Sequence, residues 1–315
     1  LQAPEGQAVR DYLDRRQIKK STAVKFGMGA SLDAWDVLLT AMTKKGYTKS
    51  ELLDAGLVVQ NKNGGLYDKF RNRLMLPVID TRGDVVAFGS RVLDKSEPKY
   101  MNSSETPVYS KRRVLYGLNL AKKSKRPNII LCEGNLDIVT LHQAGFDNAV
   151  ASMGTALTVE QTRLLSRFTK ELVLCYDNDN AGKIATERAL QILNGSEFSV
   201  KVLQLPRRLV DGEYIKQDAD DFIKLQGPDA FERLLNGSEN GVEFRMAQIA
   251  GKYDLKDDEA RIAYCGEVSE LLASLPGAVE REIYTGRAAE AAGITAEAMK
   301  LEVQRSFKRR IAREK

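Results

Sequence analysis

Residues 128–137, NIILCEGNLD, and residues 171–182, ELVLCYDNDNAG, decide the fold of this chain. Each begins with a short apolar run of strand length, becomes acidic where the run ends, and leads into a helical pattern. Similar short runs occur at residues 149–152 and 199–205, with helical patterns between them. Strands that alternate with helices over short connections predict right-handed parallel crossovers. We therefore expect an α/β fold with a parallel sheet flanked by helices.

Acidic side chains follow three of these predicted strands. They are Glu133 with Asp137 after the first, Asp177 with Asp179 after the third, and Asp218 with Asp220 after the last. Ligands of an open parallel sheet bind beyond the carboxyl ends of its strands. Residues two apart in an extended segment point to the same side, so each Asp-x-Asp pair can face one cation. Carboxylates without His or Cys suit Mg²⁺ or Mn²⁺ and not Zn²⁺.

Each acidic motif also has a structural interpretation when it is taken alone. An Asp-x-Asp after a strand is often a helix N-cap, residues 218–221 could be a solvated acidic loop, and residues 133–137 could simply start a helix. Three such motifs at strand ends of one alternating unit are harder to explain as capping. We therefore expect a divalent-metal site.

The positive charge is concentrated in one segment. Residues 61–126 hold 15 Lys and Arg and 6 Asp and Glu, a net charge of +9, whereas the rest of the chain sums to −4. A local basic surface is what a polyanion-binding protein presents, although scattered solvated lysines would give the same count.

The segments around the alternating unit differ in pattern. Residues 8–16, 31–45 and 50–55 predict short helices, with Trp35 as a core anchor, and residues 57–59, 73–79 and 85–88 predict strands. The pattern over residues 93–116 predicts an irregular functional loop, and the pattern from residue 222 onward predicts helices. We expect three domains, namely residues 1–126 (basic, α+β), 127–225 (catalytic) and 226–315 (helical).

Several classes of protein are excluded. Apolar runs reach only about five residues where a membrane span needs about 20, and the opening does not resemble a signal peptide. Three scattered cysteines and one histidine make neither a disulfide framework nor a zinc site, and His142 fits a surface position better than catalysis. We expect a fragment of a longer cytoplasmic protein.

The acidic motifs resemble the TOPRIM domain that primases, topoisomerases and some nucleases share. Those motifs are Glu-Gly-x-x-Asp at 133–137, Asp-x-Asp-x-Ala-Gly at 177–182 and Asp-x-Asp at 218–220. Upstream, FRNRLMLPV (70–78), GDVVAFGSRV (83–92), PKYMNS (98–103), Lys111 and LYG (115–117) resemble the DnaG-type bacterial primase core. The resemblance covers residues 8–235 and, more loosely, the helical end.

The resemblance implies a central TOPRIM parallel sheet, preceded by a mixed α+β basic subdomain and followed by a small helical subdomain. The chain departs from the family at Asn135-Leu136, where Tyr-Met is usual, and at Asn178 and Ala219, where Gly and Pro are usual. None of these changes removes a carboxylate. The family's zinc-binding and helicase-binding domains are expected to be absent.

The implied activity is synthesis of short RNA primers on single-stranded DNA from ribonucleoside triphosphates, with a replicative helicase as partner of the full-length protein at the replication fork. Glu133, Asp177 and Asp179 would be catalytic and would hold the metals together with Asp218 and Asp220, with Asp137 in support. The residues that would face template or nucleotide are Arg71, Arg73, Arg91, Lys99, Asn102 and Lys111.

Alternatives remain at this point. Another TOPRIM enzyme, a nuclease or a topoisomerase fragment, shares the acidic motifs. A haloacid-dehalogenase-type phosphohydrolase also places Asp-x-Asp after a strand, and a non-catalytic nucleic-acid-binding module would explain the basic segment alone.

Overall fold

The computed structural model describes residues 1–154, 156–210 and 213–314. After a 3₁₀ turn at Pro4–Gly6, the N-terminal part alternates short helices and strands. These elements are α1 (Gln7–Arg15), α2 (Lys20–Lys25), β1 (Gly29–Ser31), α3 (Val37–Lys44), α4 (Lys49–Asp54), β2 (Val58–Gln60), β3 (Leu66–Asp68), β4 (Arg73–Ile79), β5 (Val85–Val92), β6 (Tyr100–Asn102) and α5 (Leu118–Ala121). Strands β1, β4, β5 and β6 form an antiparallel sheet in the order β1-β4-β5-β6.

The middle of the chain has the predicted alternation of strands and helices. Its elements are β7 (Asn128–Cys132), α6 (Asn135–Gln143), β8 (Ala149–Ala151), α7 (Val159–Leu165), β9 (Glu171–Leu174), α8 (Asn180–Leu193), β10 (Ser199–Val202), the hairpin strands β11 (Arg208–Val210) and β12 (Glu213–Ile215), and α9 (Ala219–Gln226). Strands β10, β9, β7 and β8 are parallel neighbours in that order, which confirms the expected parallel α/β sheet.

The C-terminal part is helical. It consists of α10 (Pro228–Asn236), a two-residue strand β13 (Glu239–Asn240), α11 (Gly241–Ala250), α12 (Asp258–Ala273), α13 (Ala278–Ala292) and α14 (Ala296–Glu314). β13 pairs antiparallel with β10 and so forms the fifth strand, at the edge of the sheet. Within the described ranges, no helix combines the length and the apolar character that crossing a bilayer requires.

Both faces of the central sheet are buried, which is why its strands are continuously apolar. Along β7, Ile130 and Cys132 face a cluster that includes residues of the N-terminal helices and the antiparallel sheet. Ile129 and Leu131 face the opposite cluster, which includes Leu165 of α7 and residues of α8. This placement joins the N-terminal part and the sheet through one continuous core, so the strand ends keep a fixed position relative to the basic segment.

Two single-residue expectations are wrong. Trp35 is not a core anchor, because the helix begins only at Val37 and the indole is 65% exposed. Its ring instead packs against Tyr67 and the guanidinium of Arg71. His142 is not at the surface: it is 6% exposed, its ring Nε2 lies 2.9 Å from the carbonyl oxygen of Ala149, and burial lowers its pKa to about 4. This neutral, buried ring is a core residue.

Candidate active site

The carboxyl ends of β7 and β9 bring the first two acidic motifs into contact. The strands are parallel neighbours with Leu131 opposite Leu174, so the segments that follow them emerge side by side. The backbone N–H of Asp177 donates a hydrogen bond of 3.3 Å to Oε1 of Glu133. The structure therefore places Glu133 beside Asp177, as the topology predicts.

Asp177 and Asp179 point to the same side, and Asn178 points away from them. Oδ2 of each aspartate lies close to Nζ of Lys216, at 3.1 Å and 3.2 Å, whereas Nδ2 of Asn178 donates to the carbonyl oxygen of Leu205 at 2.7 Å. Asp179 is also the N-cap of α8, since its Oδ1 accepts a 2.8 Å bond from the N–H of Gly182. The capping interpretation and the functional one thus use different oxygens of the same carboxylate.

Gly182 allows the first turn of α8 to lie against the backbone of Asp177. A Cβ atom at this position would lie 1.9 Å from the carbonyl oxygen of Asp177 and within 3.0 Å of its backbone nitrogen and carbonyl carbon. Because backbone atoms cannot yield as a flexible side chain does, only glycine fits here without displacing Asp177.

The third motif joins the site through Asp137 and the first turn of α9. Oδ1 of Asp137 accepts a 3.2 Å bond from the N–H of Asp220, and its Oδ2 accepts one from the N–H of Gly134. Asp218 is the N-cap of α9. Carboxylate oxygens of Asp218, Asp220 and the exposed Asp221 lie within 4.8 Å of one another, the spacing of a possible cation site.

Asp220 already has protein partners for both carboxylate oxygens. It is 3% exposed, and its Oδ2 accepts from Arg16 at 2.9 Å and from Lys224 at 2.6 Å. Its Oδ1 accepts from the hydroxyl of Thr140. A metal would have to compete with two cations for this side chain, so its role as a ligand stays a prediction. Its present contacts join the residue that caps the C-terminus of α1 to α6 and α9.

Three carboxyl groups in the site have raised pKa values. Burial raises the pKa of Glu133, and the neighbouring charge of Asp177 raises it further. Burial, followed by the charges of Asp218 and Asp177, raises the pKa of Asp137 well above its usual range. Burial likewise raises the pKa of Asp218. By contrast, the bond from Gly182 lowers the pKa of Asp179. Hard oxygen donors that crowd one another in this way suit a divalent cation, which favours their charged forms.

A chain of aromatic and arginine side chains links the acids to the basic segment. The hydroxyl of Tyr12 accepts a 3.1 Å bond from Nε of Arg16 and a second bond from Nε of Arg91. The guanidinium of Arg91 also lies over the ring of Tyr100, 5.1 Å from its centroid, and Nζ of Lys99 lies 5.6 Å from the same centroid. Arg16, Arg91 and Lys99 therefore form one basic surface beside the acids, called the cationic wall below. It is connected to Asp220 by the bonds from Arg91 and Arg16 to Tyr12 and by the Arg16–Asp220 ion pair.

The other predicted contact residues differ in exposure. The guanidinium of Arg71 lies 4.1 Å from the ring centroid of Trp35 at a partly exposed position. Arg73 is only 5% exposed and donates to the carbonyl oxygen of Pro98 at 3.0 Å, which is a structural arrangement. Lys111 is half-buried, and the pKa of the neighbouring Lys69 is lowered first by burial and then by the charge of Lys111.

Asn102 lies where the antiparallel sheet meets the central domain. Its Nδ2 donates to the carbonyl oxygen of Met153 at 3.0 Å, and its Oδ1 would lie 3.1 Å from a Cβ at Gly89. Asn135, one of the departures from the family pattern, is buried beside the same glycine, with its Nδ2 2.5 Å from the position of that Cβ.

Four residues of the site were not predicted from the sequence. They are Tyr12, Arg16, Lys216 and Lys224. Lys216 and Lys224 flank the third motif, and a basic residue beside an acidic cluster is a weak hint that it pairs there. Tyr12 and Arg16 lie about 200 residues from Asp220, and only the tertiary structure brings them to it.

Three family models match successive parts of the chain. The first describes the N-terminal domain of the DNA primase catalytic core and matches residues 1–122. The second is Toprim-like and matches residues 130–223. With the acidic cluster, it implies that the site binds divalent metal. The third describes a DnaB-helicase binding domain of primase and matches residues 242–297. The expectation that a helicase-binding domain is absent is therefore wrong.

Curated proteins and solved structures resemble the chain over nearly all of its length. A DNA primase of Clostridium acetobutylicum is 42% identical over 293 residues, which are 93% of this chain and 47% of that protein. The chain thus spans about half the length of the curated relatives it matches. The E. coli primase catalytic core is 33% identical with a TM-score of 0.80, covering 94% of this chain and 93% of that one.

Two further solved structures agree. A DNA primase domain from Pseudomonas aeruginosa is 34% identical with a TM-score of 0.79, covering 96% of this chain and 94% of that one. A DnaG primase catalytic domain bound to single-stranded DNA is 32% identical with a TM-score of 0.80, covering 95% and 93%. On sequence and structure together, the chain belongs to the family of bacterial DnaG-type primases, and it corresponds to their catalytic core.

Proposed function

We propose that this chain is the polymerising part of a DNA primase, which joins ribonucleotides into a short RNA on a single-stranded DNA template. The observation that carries the proposal is the direct link between the acidic site and the basic segment, from Asp220 through Arg16 and Tyr12 to Arg91. A site for a metal-bound triphosphate and a surface for a polyanion are thereby neighbours. The relatives that carry the name DNA primase support the same assignment.

The candidate metal ligands are Glu133, Asp177, Asp179, Asp218 and Asp220, with Asp137 in support. Mg²⁺ or Mn²⁺ fits this set better than Zn²⁺, because every candidate donor is a carboxylate oxygen. The thiols of Cys132 and Cys175 pack against each other in the core, and that contact raises the pKa of Cys132, which disfavours a thiolate ligand. Bound there, divalent metal would supply charge neutralisation for the reacting phosphates.

The chain's own residues would perform the remaining steps. Arg91 and Lys99 would hold phosphate groups of template or nucleotide, because they lie on the cationic wall beside the acids. Glu133 is next to Asp177 and has a raised pKa, so it is placed either to bind metal or to accept the proton of an attacking 3′-hydroxyl. Asp137 accepts a hydrogen bond from the backbone N–H of Asp220 and so would hold the third motif beside the first two.

We further propose the division into residues 1–126, 127–225 and 226–315, which the limits of the three family models support. The helical part would contribute to docking on the replicative helicase, as the description of the third model suggests. The expected place of action is the replication fork in the cytoplasm.

Primer synthesis on single-stranded DNA tests the proposal. The chain, ribonucleoside triphosphates and an unprimed template are incubated with Mg²⁺, with Mn²⁺ or with EDTA, and labelled RNA is resolved on a gel. We expect short RNA only with metal and template, and loss of at least about 100-fold for Asp177→Asn. Asp229→Asn, at an exposed position in the first turn of α10, is the matched control.

Other outcomes would contradict the proposal. Full activity of Asp177→Asn would remove that residue from the reaction. DNA binding without nucleotide incorporation would indicate a non-catalytic module, and phosphate release from small phosphomonoesters without DNA would indicate a phosphohydrolase. In the structure, the Asp-x-Asp motif follows β9 and not the first strand of its sheet, which is unlike the phosphohydrolase arrangement.

A further inference from the structure

Lys216 lies between the two aspartates of the second motif. Its Nζ is 3.1 Å from Oδ2 of Asp177 and 3.2 Å from Oδ2 of Asp179. The residue directly follows β12 of the β11–β12 hairpin and precedes Asp218 by two positions. One ammonium group therefore contacts both carboxylates that are expected to hold metal.

The ammonium group supplies the positive charge that this pair of acids needs. Two carboxylates on the same side of a turn repel each other unless a cation lies between them. A divalent ion bound by both oxygens would need them at about 2.1–2.5 Å, which leaves no room for an ammonium group between them. Lysine and metal must therefore exclude each other here.

The position of Lys216 allows such an exchange. Its side chain is 58% exposed, on a flexible four-carbon stem, so it can swing out without disturbing the core. The segment leading into the same hairpin contributes another cation to this loop, since Nε of Arg207 lies 3.4 Å from the carbonyl oxygen of Asn178. An ammonium group displaced from the aspartates stays beside the metal site, where the next available anion would be the phosphates of a nucleotide.

We propose that Lys216 is an exchange residue: it holds Asp177 and Asp179 together in the metal-free protein, leaves them when divalent metal binds, and then pairs with the phosphates of the incoming nucleoside triphosphate. The last step rests on the proposed function. The first two concern metal binding alone.

The exchange predicts opposite effects of Lys216→Gln on two affinities. Mn²⁺ binding without nucleotide is measured by the loss of the free-ion electron paramagnetic resonance signal. We expect the variant to bind Mn²⁺ about two- to tenfold more tightly, because the competing cation is gone. Nucleoside triphosphate binding is then measured at saturating Mn²⁺ by calorimetry. There we expect the variant to bind about three- to tenfold more weakly, and Lys216→Arg to stay close to the parent protein.

Lys170→Gln is the matched control. Lys170 pairs with the exposed Glu197 and precedes β9, at the end of the sheet opposite the site, so neither affinity should change. Equal or weaker Mn²⁺ binding by Lys216→Gln, or no Mn²⁺ binding by either protein, would overturn the exchange. An unchanged nucleotide affinity would overturn the phosphate contact.

Failure of this inference is distinguishable from failure of the proposed function. If the chain makes no primer but Lys216→Gln still binds Mn²⁺ more tightly, only the proposed function fails. If the chain makes primers and Lys216→Gln binds Mn²⁺ with the same affinity as the parent protein, only the inference fails.

Discussion

Replacement of Gly182 by alanine should damage the site while leaving the fold recognisable. The added Cβ would lie 1.9 Å from the carbonyl oxygen of Asp177, and real Cβ atoms essentially never approach closer than 3.0 Å. The two atoms must therefore separate by at least 1.1 Å. Since the obstacle is backbone, this shift moves Asp177 itself, and Asp179 with it.

The shift should lower both the stability of the protein and its rate of primer synthesis. Overpacking of this kind typically lowers the free energy of unfolding by about 1–3 kcal/mol. A catalytic group misplaced by about 1 Å can cost roughly 100-fold in rate. We therefore expect Gly182→Ala to be folded, moderately less stable in urea, and at least about 100-fold slower in primer synthesis at saturating metal.

Gly266→Ala is the control for this experiment. Gly266 lies inside α12 and nothing is within 4 Å of the position of a Cβ, so alanine should stabilise the helix by up to about 1 kcal/mol without changing activity. If Gly182→Ala were as stable and as active as the parent protein, residue 182 would not approach the backbone of Asp177 this closely in solution.

Three more predictions concern the surroundings of the site. Tyr12→Phe removes the hydroxyl that accepts from two arginines; we expect the apparent KM for nucleotide to rise several-fold with little change in stability, and an unchanged KM in steady-state assays would contradict the link. Arg71→Gln should weaken binding of single-stranded DNA and reduce the slope of log affinity against log salt concentration by about 0.7. Because Arg73 is buried, Arg73→Gln should instead lower the free energy of unfolding by about 1–3 kcal/mol. Fluorescence titrations measure the first effect and urea unfolding the second, and the reversed pattern would show that the two roles are exchanged. In EDTA, the carboxyl groups with raised pKa values, Asp137 foremost, bind more protons in the native state than in the unfolded state above about pH 4, so the free energy of unfolding should fall as the pH rises through their raised pKa values. Asp137→Asn should make this decline less steep when unfolding is measured from pH 4.5 to 7.5. An equally steep decline in the variant would exclude Asp137 as its source.

The parallel sheet was predictable because its signal is local. Each strand is a short apolar run buried on two faces, as Ile129 and Ile130 on opposite faces of β7 show. The crossover rule predicts that the strands are parallel, so that their acidic ends share one edge of the sheet, and the observed order of the strands brings Glu133 beside Asp177. Local sequence therefore determined both the sheet and the first half of the site.

The surroundings of the site depend on contacts that no local pattern contains. Arg16 ends a short helix and gives no sign that it will meet Asp220. Trp35 has the helical spacing of a core residue, yet the chain preceding α3 pairs instead with the segments around β3 and β4, where backbone bonds from Asp68 and Asn72 hold it. Tertiary pairing overrode the helical periodicity, and the indole was left outside.

The two-residue strand β13 has a mechanical consequence. It pairs with the outer parallel strand β10 and runs directly into α11, with the side chain of Asn240 capping that helix. A load applied to the C-terminal helices would reach the sheet through these few antiparallel backbone bonds, through the buried ring of Phe244 in α11 and through the Arg245–Glu187 ion pair. These edge contacts would break before the buried parallel strands separate, so tension on the helices would leave the candidate metal-binding acids at the ends of β7 and β9 in place.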